Sequence, residues 1–414
     1  MNYFDRRAGE LIVEDIPAAD LAREHGTPLY IYSARTLRHH YRVFKDALGD
    51  MDHLICFAMK ANSNLSVLKL FFDLGAGADI VSGGELFRAL RAGVEPQKVV
   101  YSGVGKTEDE IRAALKADIM MFNVESFQEL TVINDIAGEM GKTARISVRV
   151  NPDVDPKTHP KISTGLKANK FGMDITGVID DYERARQQRH IEVVGVDCHI
   201  GSQLTEIGPF ENALERLAEL IERLRERDFE IRYLDFGGGL GITYQCEEPP
   251  DPTEYARSIR KIAGDLGVTF ILEPGRVLVG NAGILITRVL YTKETEKHFI
   301  IVDAGMNDLA RPAIYDSYHR IVPVAKKDGE VITADIVGPI CESSDYLAKD
   351  REIPRVARGD LLAVESAGAY AFSMASNYNS RPRCAEVMVD GAEARVVRER
   401  ETYEDLVRGE ELGG

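Results

Sequence analysis

The sequence predicts an α/β fold: a (β/α)8 TIM-like barrel followed by a second, mainly β domain of barrel or sandwich type. Three observations predict it. Eight short apolar, β-rich runs alternate with stretches of helical spacing up to about residue 277. The runs end in Gly, Asn, Asp or Ser, as strands do when they hand over to loops. Beyond residue 277 helical spacing becomes scarce, and strand-like runs recur between turn residues.

The eight runs are 54–59, 78–81, 98–101, 119–122, 145–150, 192–198, 231–236 and 268–272. Strands that alternate with helices imply parallel βαβ units, because a parallel connection must cross back over the sheet. Eight such units suggest a closed barrel, with an open doubly wound sheet as the alternative. The clearest helix is 210–227, where Phe210, Ala213, Leu214, Leu217, Leu220, Ile221 and Leu224 keep i, i+3, i+4 spacing. Pro209 stands at the first helical position, where its missing N–H costs nothing. The later strand-like runs are 284–291, 299–303, 331–337, 361–366 and 386–389, separated by Asp328-Gly329, Arg358-Gly359-Asp360 and Asp390-Gly391. The expected domains are 30–277 for the barrel and 1–29 plus 278–414 for the β domain. Leu11-Ile12-Val13 and Leu29-Tyr30-Ile31-Tyr32 could add a strand to either.

With 414 residues, 44% hydrophobic and 29% charged, the chain has the composition of a globular protein of two domains. Its net charge of −16 argues against a nucleic-acid partner and against an anionic membrane surface. No apolar run reaches the ~18–20 residues of a membrane span, and Met1 to Arg7 contain no apolar signal core. Cys56, Cys198, Cys246, Cys341 and Cys384 are odd in number and never spaced C-x-x-C, so neither a zinc site nor a thioredoxin-like motif is supported, and no metal is expected at the site. Reduced thiols in the cytoplasm are the simplest setting.

Active sites of parallel barrels lie at the C-terminal ends of the strands. Those ends carry Lys60, Asp79, Ser102, Asn123, Asn151, His199, Gly237 to Gly239 and Glu273. Lys60 leaves a buried strand, where desolvation makes an amine available as a nucleophile toward aldehydes. Gly237-Gly238-Gly239-Leu240-Gly241 offers bare backbone to a phosphate. It is not a G-x-G-x-x-G run, and Gly105-Lys106-Thr107 lacks the first glycine of a P-loop, so both nucleotide readings fall. Glu273 can pair with a cationic ring nitrogen, and Arg276 can clamp a phosphate or carboxylate. His199 can stack on a flat cofactor or move protons. A lysine amine, a phosphate cradle and a carboxylate for a ring nitrogen together describe a site for pyridoxal 5'-phosphate. The protonated ring is an electron sink, which leans toward decarboxylation of an amino acid over racemisation.

These residues resemble the fold type III pyridoxal phosphate enzymes, and among them the meso-diaminopimelate decarboxylase family, over nearly the whole chain. Ala58-Met59-Lys60-Ala61-Asn62, Gly77-Ala78-Asp79, His199-Ile200-Gly201-Ser202-Gln203, Gly237-Gly238-Gly239 and Glu273-Pro274-Gly275-Arg276 are shared with ornithine and arginine decarboxylases. More specific are Asn151-Pro152-Asp153-Val154-Asp155-Pro156, His159-Pro160-Lys161-Ile162-Ser163-Thr164-Gly165 and Asn169-Lys170-Phe171-Gly172. So are Asp303-Ala304-Gly305-Met306-Asn307-Asp308, Gly338-Pro339-Ile340-Cys341-Glu342-Ser343-Ser344-Asp345 and Ser366-Ala367-Gly368-Ala369-Tyr370.

The resemblance implies a last step of lysine biosynthesis, from meso-diaminopimelate to L-lysine and CO2. It implies that Lys60 condenses with the cofactor aldehyde, that Asp79 orients the Lys60 region, and that Glu273 and His199 hold the ring. Ser202, Gly239, Gly275 and Arg276, with Tyr370, would surround the phosphate. Arg276, Arg311, Tyr315 and Tyr370 would bind substrate, the first three at its distal carboxylate, and Glu342 would take its distal ammonium. Cys341 would donate the proton. Cys341 and Glu342 would come from the neighbouring subunit of a homodimer. Ornithine, arginine or lysine decarboxylation, or a non-catalytic binding homologue, are the alternatives.

Overall fold

The structure, a computed structural model, describes residues 2–155 and 170–413. Pro156, the expected motif at His159 to Gly165, and Asn169 lie outside the described residues. The chain divides into two compact units: residues 41–242 with 247–277, and residues 1–40 with 243–246 and 278–414.

The first unit is the barrel. Its strands are His53–Ala58, Gly77–Ile80, Val99–Tyr101, Met121–Val124, Ala144–Asn151, Ile191–Asp197, Tyr233–Asp235 and Thr269–Leu272. Each pairs in parallel with the next. The eighth pairs with the first, Phe270 opposite His53 and Leu272 opposite Ile55, which closes the sheet. All eight expected runs are therefore strands, and the open-sheet alternative is excluded. Such strands are buried on both faces, which is why they read as near-continuous apolar runs. Cys56, Val100, Met121, Val194 and Ile271 pack together within the barrel unit.

The helix expected at 210–227 spans Gly208–Arg225 and buries all seven residues of the predicted stripe. Pro209 falls on its second residue, since Ile207 is the cap. Several helices begin on a side-chain cap just beyond a strand. Ser82 accepts the Glu85 N–H, Ser126 accepts the Glu129 N–H, and Thr107 and Glu110 form a reciprocal capping box. Each such cap contributes about 1 kcal/mol and stiffens the loops at the strand ends, where the chemistry sits.

The second unit is mainly β. Its sheet runs in the order Tyr346–Pro354, Val331–Val337, His298–Val302, Gly283–Glu294, Leu29–Ser33, Ala385–Asp390, Glu393–Arg398. Leu361–Val364 also pairs with Gly283–Glu294 and with Ile321–Pro323. The domain cut expected at residue 30 falls inside Leu29–Ser33, which lies in this sheet between Gly283–Glu294 and Ala385–Asp390. Leu29, Ile31, Ile284, Ile286, Val387 and Val389 form its core with Leu11 and Val13 from a small N-terminal sheet. Among the described residues no helix is long and apolar enough to cross a membrane.

Candidate active site

Lys60 lies in the single turn Met59–Ala61 that follows the first barrel strand. The strand buries Ile55 to Ala58, so the chain leaves the barrel with its next side chain at the rim. Asn62 then turns the backbone by accepting the Asn64 N–H at 3.0 Å, and Asn64 caps the helix Leu65–Asp73. Lys60 Nζ donates to Asp79 Oδ2 at 2.8 Å from the neighbouring strand. Asp79 is fully buried while Lys60 remains about a third exposed. A buried carboxylate thus holds an accessible amine in one direction.

The loops after the sixth and seventh strands are laced together. Gln203 donates to the Ile242 carbonyl at 2.6 Å, the Ile242 N–H returns to Gln203 Oε1 at 3.2 Å, and Leu204 bonds to Gly239 and Gly241 through the backbone. Glycine is required here by packing. A Cβ on Gly238 would sit 2.2 Å from the Glu273 carbonyl oxygen, and one on Gly237 (φ +63°) 2.5 Å from His199 Nδ1. The same lack of side chains leaves a strip of bare backbone that a phosphate can approach. Arg276, itself buried, donates to Ser202 Oγ at 3.0 Å, so two phosphate-seeking groups stand together beside that strip.

His199 Nδ1 accepts the Gly238 N–H at 3.2 Å, which assigns the ring proton to Nε2. Burial, then the charges of Lys60 and Arg149, push its pKa well below the ordinary histidine value. The folded protein therefore keeps His199 neutral while the unfolded chain protonates it below about pH 6.5. Stability from this residue is complete above that pH and falls as pH drops through it. Urea midpoints should show the advantage of wild type over His199→Gln shrinking as pH falls from about 8 to about 5.5, by on the order of 1 kcal/mol.

Glu273 is buried at the end of the eighth strand, and no ion pair among the described residues involves it. Burial first, then the neighbouring Asp235 and Asp79, push its pKa well above the usual carboxylate range, against the pull of Lys60. A cationic ring nitrogen beside it would offset that cost. Behind it runs a polar network that sequence reasoning did not assemble. Ser102 Oγ lies 3.4 Å from Glu273 Oε1, and Asn123 donates to Ser102 at 3.0 Å and to Asp235 at 2.9 Å. Ser147 donates to Asn123 at 2.5 Å. Arg149 pairs with Glu125 at 2.8 Å, and breaking such a buried pair costs about 3–5 kcal/mol. Asn151, also expected at the rim, accepts the Asp153 N–H at 2.9 Å and shapes its own loop.

The remaining expected residues belong to the β unit. Arg311 opens the short helix Arg311–Tyr315 and is buried, with Tyr315 half-buried at the other end. Its guanidinium lies 2.9 Å from His319 Nε2 and 4.5 Å from the centre of the Tyr244 ring. His319 Nδ1 lies 2.9 Å from the Glu365 carbonyl, so Nδ1 donates and Nε2 is left to accept from Arg311. His319 and Tyr244 were missed. They sit eight and 67 residues from Arg311 in sequence, and nothing local announces either contact. Tyr370 is half-buried with φ 54°, a left-handed conformation that non-glycine residues seldom adopt. Cys341 and Glu342 are exposed on one loop.

The barrel residues fit a pyridoxal phosphate: an oriented amine, a flat neutral imidazole, a buried carboxylate with no ion pair among the described residues, and a glycine strip beside Ser202 and Arg276. Residues 34–280 match the family described as pyridoxal-dependent decarboxylase, pyridoxal binding domain. The chain is 53% identical to the diaminopimelate decarboxylase of Pseudomonas aeruginosa over 413 residues, covering 100% of this chain and 99% of the other. It is 52% identical to that of Aquifex aeolicus over 407 residues, covering 98% and 96%. The solved diaminopimelate decarboxylase of Helicobacter pylori, complexed with L-lysine, superposes with TM-score 0.92 at 45% identity, covering 94% of this chain and 98% of that one. With the fold, the rim chemistry and full-length similarity in agreement, the chain belongs to the diaminopimelate decarboxylase family of pyridoxal-dependent decarboxylases.

Proposed function

We propose that the chain removes the carboxylate from the D centre of meso-2,6-diaminopimelate, giving L-lysine and CO2, with pyridoxal 5'-phosphate as cofactor. The observation that carries this reading is the Lys60–Asp79 contact on the same barrel rim as Glu273 and the glycine strip. When bound, the cofactor supplies an aldehyde for covalent attachment and a cationic ring that stabilises the electron pair left by departing CO2.

The chain's own residues do the rest. Asp79 orients the Lys60 amine and stabilises its charged form. Glu273 provides the negative charge that keeps a ring nitrogen protonated. His199, held neutral, would lie against the ring without adding positive charge to it. Ser202, Gly239, Gly275 and Arg276 would hold the phosphate, through a hydroxyl, backbone amides and a guanidinium, and the resemblance assigns the Tyr370 phenol to it as well.

The resemblance assigns Arg276, Arg311 and Tyr315 to the distal carboxylate, and a carboxylate brought out of water needs a cation and hydrogen bonds. Arg311 suits this role, since His319 and Tyr244 fix the plane of its guanidinium. Glu342 takes the distal ammonium. Cys341 returns a proton to the carbon that loses CO2. We assign Cys341 and Glu342 to the site of a second copy, which makes the working unit a homodimer. The five cysteines are all free thiols, in keeping with a reducing cytoplasmic setting.

Turnover with each stereoisomer of diaminopimelate, and with ornithine, arginine and lysine, tests the assignment. Lysine should form from the meso isomer and hardly at all from the LL isomer. Faster turnover of ornithine would show that the distal carboxylate is not what the site reads.

A further inference from the structure

We propose that Asn379 and Tyr378 are positioning residues for the Cys341–Glu342 pair: Asn379 fixes the backbone that carries the thiol, and Tyr378 aims the carboxylate. The proposal rests on the roles just given to Cys341 and Glu342, and it concerns only how this chain presents them.

The problem it answers is physical. Cys341 and Glu342 are both exposed, on the loop between the strands Val331–Val337 and Tyr346–Pro354. Exposed loop side chains sample many rotamers, whereas proton delivery needs a donor within hydrogen-bond reach of one carbon. The structure supplies restraint from two sides. From below, buried Asp345 accepts the Ile340 N–H and the Met306 N–H, each at 2.6 Å, and pins the start of the loop. From the side comes the segment 376–381. The Cys341 N–H donates to Asn379 Oδ1 at 2.8 Å, and the Tyr378 hydroxyl donates to Glu342 Oε2 at 3.0 Å. One short strap therefore touches both members of the pair, one through its backbone and one through its carboxylate.

The strap is built to hold still. Asn379 and Ser380 both have φ 54°, two consecutive left-handed residues neither of which is glycine. Such a conformation persists only where surrounding contacts enforce it. The contacts are present. Asn377 donates to Glu401 Oε2 at 2.6 Å and to the Arg381 carbonyl at 3.1 Å, and Glu401 also pairs with Arg383. Arg381 donates to the Asp303 carbonyl at 3.1 Å, and the Ser376 N–H to the Asn307 carbonyl at 2.9 Å. Asparagine at 379 answers two demands together: it tolerates the left-handed region better than most side chains, and its amide oxygen reaches the Cys341 N–H. Tyr378 binds one oxygen of Glu342, which sets the plane of the carboxylate and so the direction in which the other oxygen meets an ammonium.

Steady-state kinetics of the holoenzyme separate this from a structural role. Asn379→Gly keeps the backbone conformation and deletes the acceptor; Asn379→Asp keeps both. Asn379→Gly should lower kcat about tenfold with KM within about twofold, and should raise the solvent deuterium isotope effect on kcat, because proton delivery becomes slower. Asn379→Asp should stay within about threefold of wild type. Tyr378→Phe should raise KM for diaminopimelate by about three- to tenfold with kcat little changed. The proposal is overturned if Asn379→Asp loses as much as Asn379→Gly, or if the variants change kcat and KM together with no change in isotope effect. Cys341→Ala serves as the reference. Unimpaired lysine formation by Cys341→Ala would sink the underlying role of the thiol, whereas its collapse alongside an unaffected Asn379→Gly would sink the positioning claim alone.

Discussion

Lys60→Ala should abolish lysine formation, with a fall in kcat on the order of 10^4-fold or more. The size follows from the role. An amine that bonds covalently to a cofactor cannot be replaced by remaining contacts, since positioning groups act only on what is already attached. Lys60→Arg sharpens the test. Arginine keeps a cation for buried Asp79, 2.8 Å from the native amine, yet its guanidinium stays protonated and is a poor nucleophile. Turnover by Lys60→Arg near wild type would mean that the charge at position 60 matters and the amine does not. Far-ultraviolet circular dichroism should show both variants folded, because Lys60 is partly exposed and its strand is anchored by Ile55 to Ala58.

Arg311→Ala should raise KM for meso-diaminopimelate by about 30- to 100-fold, as expected for loss of a charge-assisted hydrogen bond worth about 2–3 kcal/mol. Its effect on kcat should be smaller, because the distal carboxylate does not change charge during the reaction. Arg311→Lys should fall between the two. Lysine restores the charge but loses the planar fork that His319 orients and Tyr244 faces at 4.5 Å. If Arg311→Ala leaves KM unchanged, the guanidinium serves the packing of His319 and Tyr244 and does not bind substrate.

How much of this was legible depended on where the signal lay. The eight barrel strands could be read because a parallel strand covered on both faces is almost wholly apolar, and its polar terminator marks the rim. Lys60, Asp79, His199 and Glu273 were visible for that reason. The β unit was harder to read. Tyr346–Pro354 carries Lys349, Asp350, Arg351 and Glu352 and ends in proline, so it has none of the apolar texture of an interior strand; it is in fact at the end of the sheet order. Glu393–Arg398 closes the other end and exposes half of its residues, with the same result. Leu29–Ser33 was plain as a strand, but its partners lie more than 250 residues away in Gly283–Glu294 and Ala385–Asp390. No local pattern states a pairing of that range.

The same limit governs the site. Ser147, Arg149, Asp197 and Asp235 are polar residues inside otherwise apolar runs, a signal that sequence reading could have used. What it could not supply is the wiring: that Asn123 joins Ser102 to Asp235, or that Gln203 laces its loop to Ile242. The three-glycine run shows a similar split. Its presence suggested a phosphate cradle, while the contacts show that packing against His199, the Glu273 carbonyl and the Gly201 carbonyl already demands glycine at all three positions.

The most direct test is reduction of the protein, loaded with pyridoxal phosphate, by borohydride, followed by peptide mass spectrometry. A single pyridoxyl label on the peptide bearing Lys60, absent from Lys60→Ala, is the predicted result. A label on another lysine, or none at all, would contradict the account.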